Sequence, residues 1–493
     1  AGSVRAVALA RNWDGYARIC AALTELGMAH PPARILATEE MTEDGVVSSQ
    51  EADAASVSLP DILVRHFDDN VIVLTAQPAL LRILHDRCSA ILYAELVAHG
   101  EGSWPQLLTA AQERGISSVA TNDVYFGHPA GIRLHTMLRA IATNTTLGTL
   151  PPDECAPDSC WFIGEEHFAH WFREHPDALR ARQHVIDACT VEFDTAGSKF
   201  TRYTDIPDAA KLQRLRALTE EGFRIRYPDG SAAARNRIEK ELSVIRDLGF
   251  VDYFLVAWDI VRYARHRNYP YVGRGSGANS IVAFCMQITN VDPIELDLFF
   301  ERFLNPERRS PPDFDIDFSW RNRDEVIDYV LAKYGSDRTA MICTISTFNP
   351  RGALREMGKV LGFSAAEIRQ ITSMLPVFGS ERDLRDPDSP LQRQVGKIFS
   401  SPYGREWSRA ARAILGFPNH YGIHSGGVIL APEPMHRYCA TQIAPKGVRI
   451  TQQDMFSMED WRLEKLDILS TRGLGVFEDT MQEIRRRTGV LPP

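Results

Sequence analysis

The first part of the chain sets short apolar runs between longer amphipathic stretches. Val4 to Leu9 alternates weakly, and helical spacing then takes over from Trp13 to Leu23. Apolar segments return at Val71–Leu74 and Ala90–Leu96, and Ser117–Tyr125 ends in a further short strand. Strands alternating with helices predict an α/β region with a largely parallel sheet. Residues 160–190 carry helical spacing, with Glu165, Glu166 and Phe168 to Phe172 at amphipathic positions. Tyr203–Asp208 is a proline-bearing connection. A long helix is predicted over Ala232–Leu248, with Ile238, Leu242 and Ile245 on one face and Gly249 as its C-terminal stop. Phe250–Ala264 predicts a second helix, rich in aromatics and therefore buried. Beyond it the pattern mixes strands with helices: a strand at Tyr269–Val272, a helix at Asn279–Met286, a strand at Met341–Thr344. A Pro-, Asp- and Ser-rich stretch over 376–400 precedes a return to strand within Leu415–Leu430. The fold class is α/β and α+β, in several domains.

Length agrees, since 493 residues exceed one core and imply two or three domains. Hydrophobic content of 44% and charged content of 24% are those of an ordinary globular protein. No apolar run approaches the roughly 18 to 20 residues that span a bilayer, and no signal peptide is recognisable. The eight cysteines are scattered without zinc-finger spacing, which predicts reduced thiols and a cytoplasmic setting. A net charge of −9 argues against a surface coated in nucleic acid but leaves room for a local basic groove.

Candidate chemistry centres on residues 311–318, Pro-Pro-Asp-Phe-Asp-Ile-Asp-Phe. On a strand, side chains two apart point the same way, so Asp313, Asp315 and Asp317 share a face. Carboxylates this close repel unless a cation sits between them, and Mg²⁺ prefers carboxylate oxygen. A solvated edge strand is the plain alternative. Upstream lies Gly273-Arg274-Gly275-Ser276-Gly277-Ala278-Asn279-Ser280, and Phe300–Arg309 leads in with several arginines. A glycine loop between strand and helix start is a place where backbone N–H groups meet an anion. No Gly-Lys-Ser/Thr follows, and the Rossmann context is missing, so an ordinary turn explains the loop equally well. Together, carboxylates, loop and arginines are the parts of two-metal phosphoryl or nucleotidyl transfer. A third acid is available at Asp467, where Leu466 and Ile468 take one strand face and leave Lys465 and Asp467 on the other. Lys465 would neutralise phosphate charge there. Further basic residues, Arg351, Arg355 and Lys359, recur every four positions behind Pro350, giving a helix face suited to solvent or to a duplex backbone.

The run Gly273–Phe318 resembles, nearly residue for residue, the palm of the C-family bacterial DNA polymerases, the alpha subunits of DNA polymerase III. The resemblance extends over most of the chain. It implies a partial polymerase-and-histidinol-phosphatase domain, barrel-like and metal-binding, at 1–185. A nucleotidyltransferase-type palm with a mixed sheet follows at 186–346 and 424–475, interrupted by a helical thumb at 347–423, and the fingers begin at 476–493. The implied function is template-directed DNA synthesis with two Mg²⁺ ions. Asp315, Asp317 and Asp467 are then the catalytic metal ligands, with Asp313 structural. Gly275, Ser276, Arg302, Arg308 and Lys465 would hold the incoming dNTP. Arg351, Arg355, Lys359 and His424, the last in a His-x-Gly-Gly-Val turn, would touch primer–template DNA. Surface pairing with Glu301 or Glu307 is the alternative for the two arginines, and turn stabilisation the alternative for His424.

Two departures bear on the first domain. The His-x-His segment expected near its start is absent, and the family's Asn-Asp-Val-His reads Asn122-Asp123-Val124-Tyr125, a phenol where imidazole would ligate. A structural remnant is expected there. A metal-dependent phosphoesterase or 3′–5′ exonuclease is one competing function, and a non-catalytic DNA-binding fragment is the other. Most of the fingers, the clamp-binding region and the OB-fold fall outside this sequence, so sliding-clamp and replisome contacts are expected through regions absent here. Gln452–Phe456 resembles a clamp-binding peptide, yet its position matches a palm segment. Phe417-Pro418-Asn419-His420 and Gly277-Ala278-Asn279-Ser280 look similar to error-prone branches of the family.

Overall fold

The structure, a computed structural model, describes residues 4–29, 58–99, 101–305, 313–373 and 401–490, with Asp386, Asp388 and Arg393. Two compact units emerge, each assembled from separate stretches. The described residues of 1–19, 57–192 and 345–422 form one, and those of 20–56, 193–344 and 423–493 the other.

In the first unit four strands pair in the order β1 (Val7–Ala10), β2 (Val71–Thr75), β3 (Ile91–Val97) and β4 (Ser118–Thr121). β1 is antiparallel to β2, whereas β2, β3 and β4 run parallel. That is the largely parallel sheet which helical returns produce. Every residue of β2 is buried, as a continuously apolar central strand must be. Helix Pro176–Ala188 closes one face, Ala181 and Val185 packing on Ile72, Leu74 and Val119. With β1 and β4 at the two edges, these four strands do not themselves form the barrel that the resemblance implies. A second core in this unit joins helix Ile132–Ala142 to helices Pro350–Val360 and Pro402–Ile414. Gly358 permits the approach, because a Cβ there would lie 2.7 Å from the Trp407 ring. Trp407 is buried and donates Nε1–H to the Leu354 carbonyl at 2.7 Å.

In the second unit seven strands form a mixed sheet. Its order is β5 (Tyr271–Arg274), β6 (Asp315–Ser319), β11 (Lys465–Thr471), β8 (Pro418–Leu430), β7 (Thr339–Thr347), β10 (Arg449–Asp454) and β9 (Thr441–Ile443). β6 is parallel to β11 and antiparallel to β5, and β11 is antiparallel to β8. Helices Ala232–Asp247 and Val251–His266 cover the sheet with one large apolar core, including Ile238, Leu242 and Ile245. Gly249 takes φ +78°, the left-handed position that ends the first of these helices. Asp259 is fully buried, yet Lys333, Arg262, Tyr329 and Tyr334 all donate to it, so its charge is answered on every side. Among the described residues no helix is long and apolar enough to cross a membrane.

Candidate active site

The sheet order sets β6 between a glycine-loop strand and the strand of the third acid. Across β5 the residue opposite Asp315 is Arg274, and across β11 it is Asp467. Asp313 lies two residues before β6. Asp313, Asp315 and Asp467 each bring a carboxylate oxygen within 4.8 Å of the other two. Asp317 does not belong to this group; its Oδ2 accepts from Arg274 Nε at 3.0 Å. The structure therefore gathers Asp315 and Asp467 around Asp313, the acid to which the sequence assigned a structural role.

One tyrosine pins both acidic segments. Tyr253, fully buried, stacks on Phe314 with ring centroids 5.3 Å apart. Its hydroxyl accepts the Phe314 N–H at 2.9 Å and donates to the Lys465 carbonyl at 3.3 Å. The Asp467 N–H donates to the Phe314 carbonyl at 3.2 Å, closing the seam. Around the acids, Lys465 Nζ lies 2.8 Å from Asp313 Oδ2 and 2.5 Å from Asp467 Oδ2, and Arg274 Nη1 lies 3.1 Å from Asp315 Oδ2. Burial raises the Asp315 carboxyl above its ordinary pKa and Asp313 adds to the rise, with Arg274 working against both. Burial also acts against the Lys465 ammonium, but hydrogen bonds to Asp313 and Asp467 outweigh it and raise its pKa. Asp467 is only 7% exposed, and its Oδ1 has no hydrogen-bond partner. A buried carboxylate oxygen left over within a cluster of acids fits a hard divalent cation.

The glycine loop borders these acids directly. Gly275 has φ +72°, and a Cβ on it would fall 2.7 Å from Asp315 Oδ2, so glycine is required on both counts. Gly277 lies against the Phe314 ring, where a Cβ would come within 2.4 Å. The loop forms one 3₁₀ turn, Gly275–Asn279, before a short helix, Ile281–Cys285. The expected anion site at that helix start is already taken. Ser280 Oγ accepts the Ala283 N–H at 3.1 Å, and Glu241 Oε2 accepts the Val282 N–H at 3.2 Å. Gly275, exposed, and Ser276, half-buried, remain beside the acids.

Arg302 ends a 3₁₀ turn, Phe300–Arg302, and is exposed, while Arg308 lies outside the described residues. His424 is turned inward, its Nδ1 accepting the N–H groups of Gly427 at 2.7 Å and Gly426 at 3.3 Å. It thereby braces the β8 backbone beside Asp467, whose partner on β8 is Gly427. Gln452–Phe456 is built into β10 and the helix after it. Gln453 accepts from Trp461 Nε1 at 3.0 Å, and Asp454 caps Met455–Asp460.

In the first unit, Arg351, Arg355 and Lys359 are exposed on one face of helix Pro350–Val360, with Glu356 pairing to the latter two at 2.9 and 3.2 Å. Arg405, Arg409 and Arg412 form a comparable exposed row on helix Pro402–Ile414, which the sequence reading did not single out. Their spacing against buried Trp407, Ala411 and Ile414 was the available signal. That unit also holds His99, Asp123 and Cys160 as a second set of ligand-type side chains. His99 Nε2 is 3.9 Å from Asp123 Oδ2 and 3.3 Å from Cys160 Sγ. Here Arg5 engages both Asp123 oxygens. Burial pushes the Cys160 thiol up to about 11 and lowers the His99 pKa. With Arg5 on both of its oxygens, Asp123 offers a metal ion less uncompensated negative charge than the acids of the second unit do. His135 is used structurally, accepting the Ala156 N–H at 3.0 Å.

Residues 213–470 match the family model described as the bacterial DNA polymerase III alpha NTPase domain. Among curated relatives, the chain is 34% identical over 487 residues to the error-prone DNA polymerase of Burkholderia mallei, covering 95% of this chain and 44% of that protein. It is 35% identical over 390 residues to DNA polymerase III subunit alpha of Bacillus subtilis, covering 78% of this chain and 34% of that protein. Against the error-prone DNA polymerase of Symbiobacterium thermophilum it is 34% identical over 372 residues, covering 75% of this chain and 34% of the relative. The chain thus spans about a third to just under half of the length of these relatives. The matched segment contains β5, β6 and β11 with all of the clustered acids, and the chain belongs to the bacterial DNA polymerase III alpha family.

Proposed function

We propose that the second unit is the catalytic palm of a DNA-directed DNA polymerase, and that Asp313, Asp315 and Asp467 are its metal ligands. The observation that carries this reading is the convergence of acids from two distant strands in register, Asp467 beside Asp315, leaving a buried carboxylate oxygen unpartnered. The reaction joins the primer 3′-hydroxyl oxygen to the α-phosphorus of a dNTP, and the bond to the β-phosphate oxygen breaks to release pyrophosphate. Two Mg²⁺ ions, when bound, lower the pKa of the 3′-hydroxyl and offset charge on the leaving pyrophosphate. The three carboxylates hold those ions. Lys465, kept charged by its acidic neighbours, and the exposed Arg302 meet the triphosphate. Gly275 presents backbone where a Cβ would collide with Asp315, and Ser276 follows it beside the acids. Asp317 is a positioning residue that orients Arg274. The thumb is residues 347–423, and its basic helix, Arg351, Arg355 and Lys359, runs along primer–template DNA. His424 acts through its turn on β8, with no contact to substrate required.

Primer extension with Mg²⁺ and all four dNTPs tests the reading on this chain and on Asp315→Ala. Extension by the parent chain and none by the variant is the expected result. Tight binding of primed DNA without extension by the parent would point to a non-catalytic fragment. Phosphodiester hydrolysis that survives Asp315→Ala would move the chemistry to another site.

A further inference from the structure

Beneath the glycine loop lies a buried ion pair with no place in the chemistry above. Glu241, on helix Ala232–Asp247, is fully buried. Its Oε1 accepts from Arg237 Nε at 2.8 Å, and its Oε2 accepts from Ser280 Oγ at 2.8 Å and from the Val282 N–H at 3.2 Å. Arg237 completes the clasp, its Nη2 donating to the Asn279 carbonyl at 3.1 Å and to the Leu298 carbonyl at 2.8 Å. Every one of these partners is at the end of the loop, in the helix that follows it, or in the segment leading to Arg302. Burying an ion pair is rarely a gain in stability over apolar packing. What it does supply is a fixed set of directional bonds, and here they all end on backbone or hydroxyl groups around one loop. Gly275, at the other end of that turn, sits against Asp315 with no room for error.

We propose that the Arg237–Glu241 pair is the positioning element that sets the glycine loop at the edge of the acid cluster, and so sets affinity for a nucleoside triphosphate. The inference rests on the nucleotide-binding role proposed for Gly275 and Ser276. Two consequences separate it from a merely structural role. Loosening the clasp weakens nucleotide binding while leaving metal binding at Asp313, Asp315 and Asp467 intact. It also frees the loop locally, without unfolding the sheet.

The test uses the whole chain, with Glu241→Ala, Glu241→Gln and Arg237→Lys. Dissociation constants are measured for Mn²⁺ alone and for dATP with Mn²⁺, alongside amide hydrogen exchange. Glu241→Ala is expected to raise the dATP constant about ten- to hundredfold, the loss of hydrogen bonds to a charged group, with Mn²⁺ affinity unchanged. Exchange should quicken over 275–283 but not over β6 or β11. Glu241→Gln keeps an acceptor for Ser280 and Val282 but turns an amide N–H2 onto Arg237, and should recover only part of the affinity. Unchanged dATP affinity together with unchanged exchange in Glu241→Ala overturns the proposal. If Glu241→Ala does not fold, equal loss of Mn²⁺ and dATP affinity in Arg237→Lys overturns it instead. Should the parent chain bind Mn²⁺ but no dATP, the nucleotide reading fails, and the exchange pattern still decides whether the clasp holds the loop.

Discussion

Each unit holds a trio of ligand-type side chains, and the two trios differ in what answers their charge. In the second unit four neighbouring aspartates face Lys465 and Arg274 among the described residues, and Asp467 Oδ1 remains without a donor. In the first unit Asp123 is met at both oxygens by Arg5, beside His99 and Cys160. Ligand-type residues close together are therefore not enough. A site attracts a divalent ion when its negative charge exceeds what the protein's own cations neutralise. Acidic excess distinguishes one cluster, and an internal guanidinium answers the acid of the other.

The sharpest way to break this contrast is to remove one acid from each. Asp467→Ala should lower primer extension by about a thousandfold or more, a loss of the scale seen when transition-state charge goes unanswered. Asp123→Asn should leave extension within about twofold, since Asp123 is answered by Arg5 in the first unit and none of the proposed metal ligands is there. Equal losses in both would mean that the first unit shares in the chemistry.

A smaller effect separates the acids of the second cluster from one another. Asp313→Asn removes a member of the trio, and extension should fall about a hundredfold. Asp317→Asn keeps an acceptor for Arg274, and a loss under about tenfold is expected for a positioning residue. The opposite ranking, read from single-turnover rates, would return Asp317 to the metal and make Asp313 structural.

This ranking also shows how far the residues alone could lead. The acidic alternation, the glycine loop and the third acid were legible because period-two patterning and glycine chemistry are local. Alternation assigns Asp313, Asp315 and Asp317 to one face but does not say which of them Asp467 meets. That depends on the register between β6 and β11, which are far apart in the chain, with residues 345–422 of the first unit between them, and the pairing Asp467↔Asp315 draws the third acid toward the start of β6. Arg274 was visible only as part of a loop. Its role follows from standing opposite Asp315 across β5. From sequence His424 reads equally as a substrate contact and as a stabiliser of its own backbone, and the Nδ1 that accepts two backbone N–H groups belongs to the second of these. The helix start after the glycine loop looked like an anion site, and a carboxylate from 41 residues upstream already fills it. Arg5 and Asp123 could not be paired from sequence at all.

Ion binding should next discriminate the clusters by stability. At a free Mn²⁺ concentration about a hundred times the dissociation constant, linkage adds roughly 2.7 kcal/mol to unfolding of the parent chain. In Asp467→Asn that gain should vanish. In His99→Ala it should be retained, because the Arg5-closed cluster contributes none of it. A gain lost in His99→Ala, followed by urea unfolding at matched Mn²⁺, would refute the assignment.

The mildest effect concerns pH and reports on the same charge imbalance from within the core. Glu464, beside Lys465, is buried, and burial with a contribution from Asp313 lifts its carboxyl to about 7, while the Ser198 hydroxyl works the other way. A carboxyl whose folded pKa is raised stabilises the protein below its unfolded value, and that stability is lost as pH rises through the folded value. The parent chain should therefore lose on the order of 1 to 3 kcal/mol from this group between about pH 4.5 and 7. Glu464→Gln cannot ionise and should flatten that part of the slope, measured by urea unfolding at pH 5 and pH 7.5. Part of the rise comes from repulsion by Asp313, so saturating Mn²⁺ should shrink the parent's slope as well. In Asp467→Asn, where the ion is no longer held, Mn²⁺ should leave the slope as it was; a slope insensitive to Mn²⁺ in both chains would mean that the excess charge of the acid cluster is not felt at Glu464.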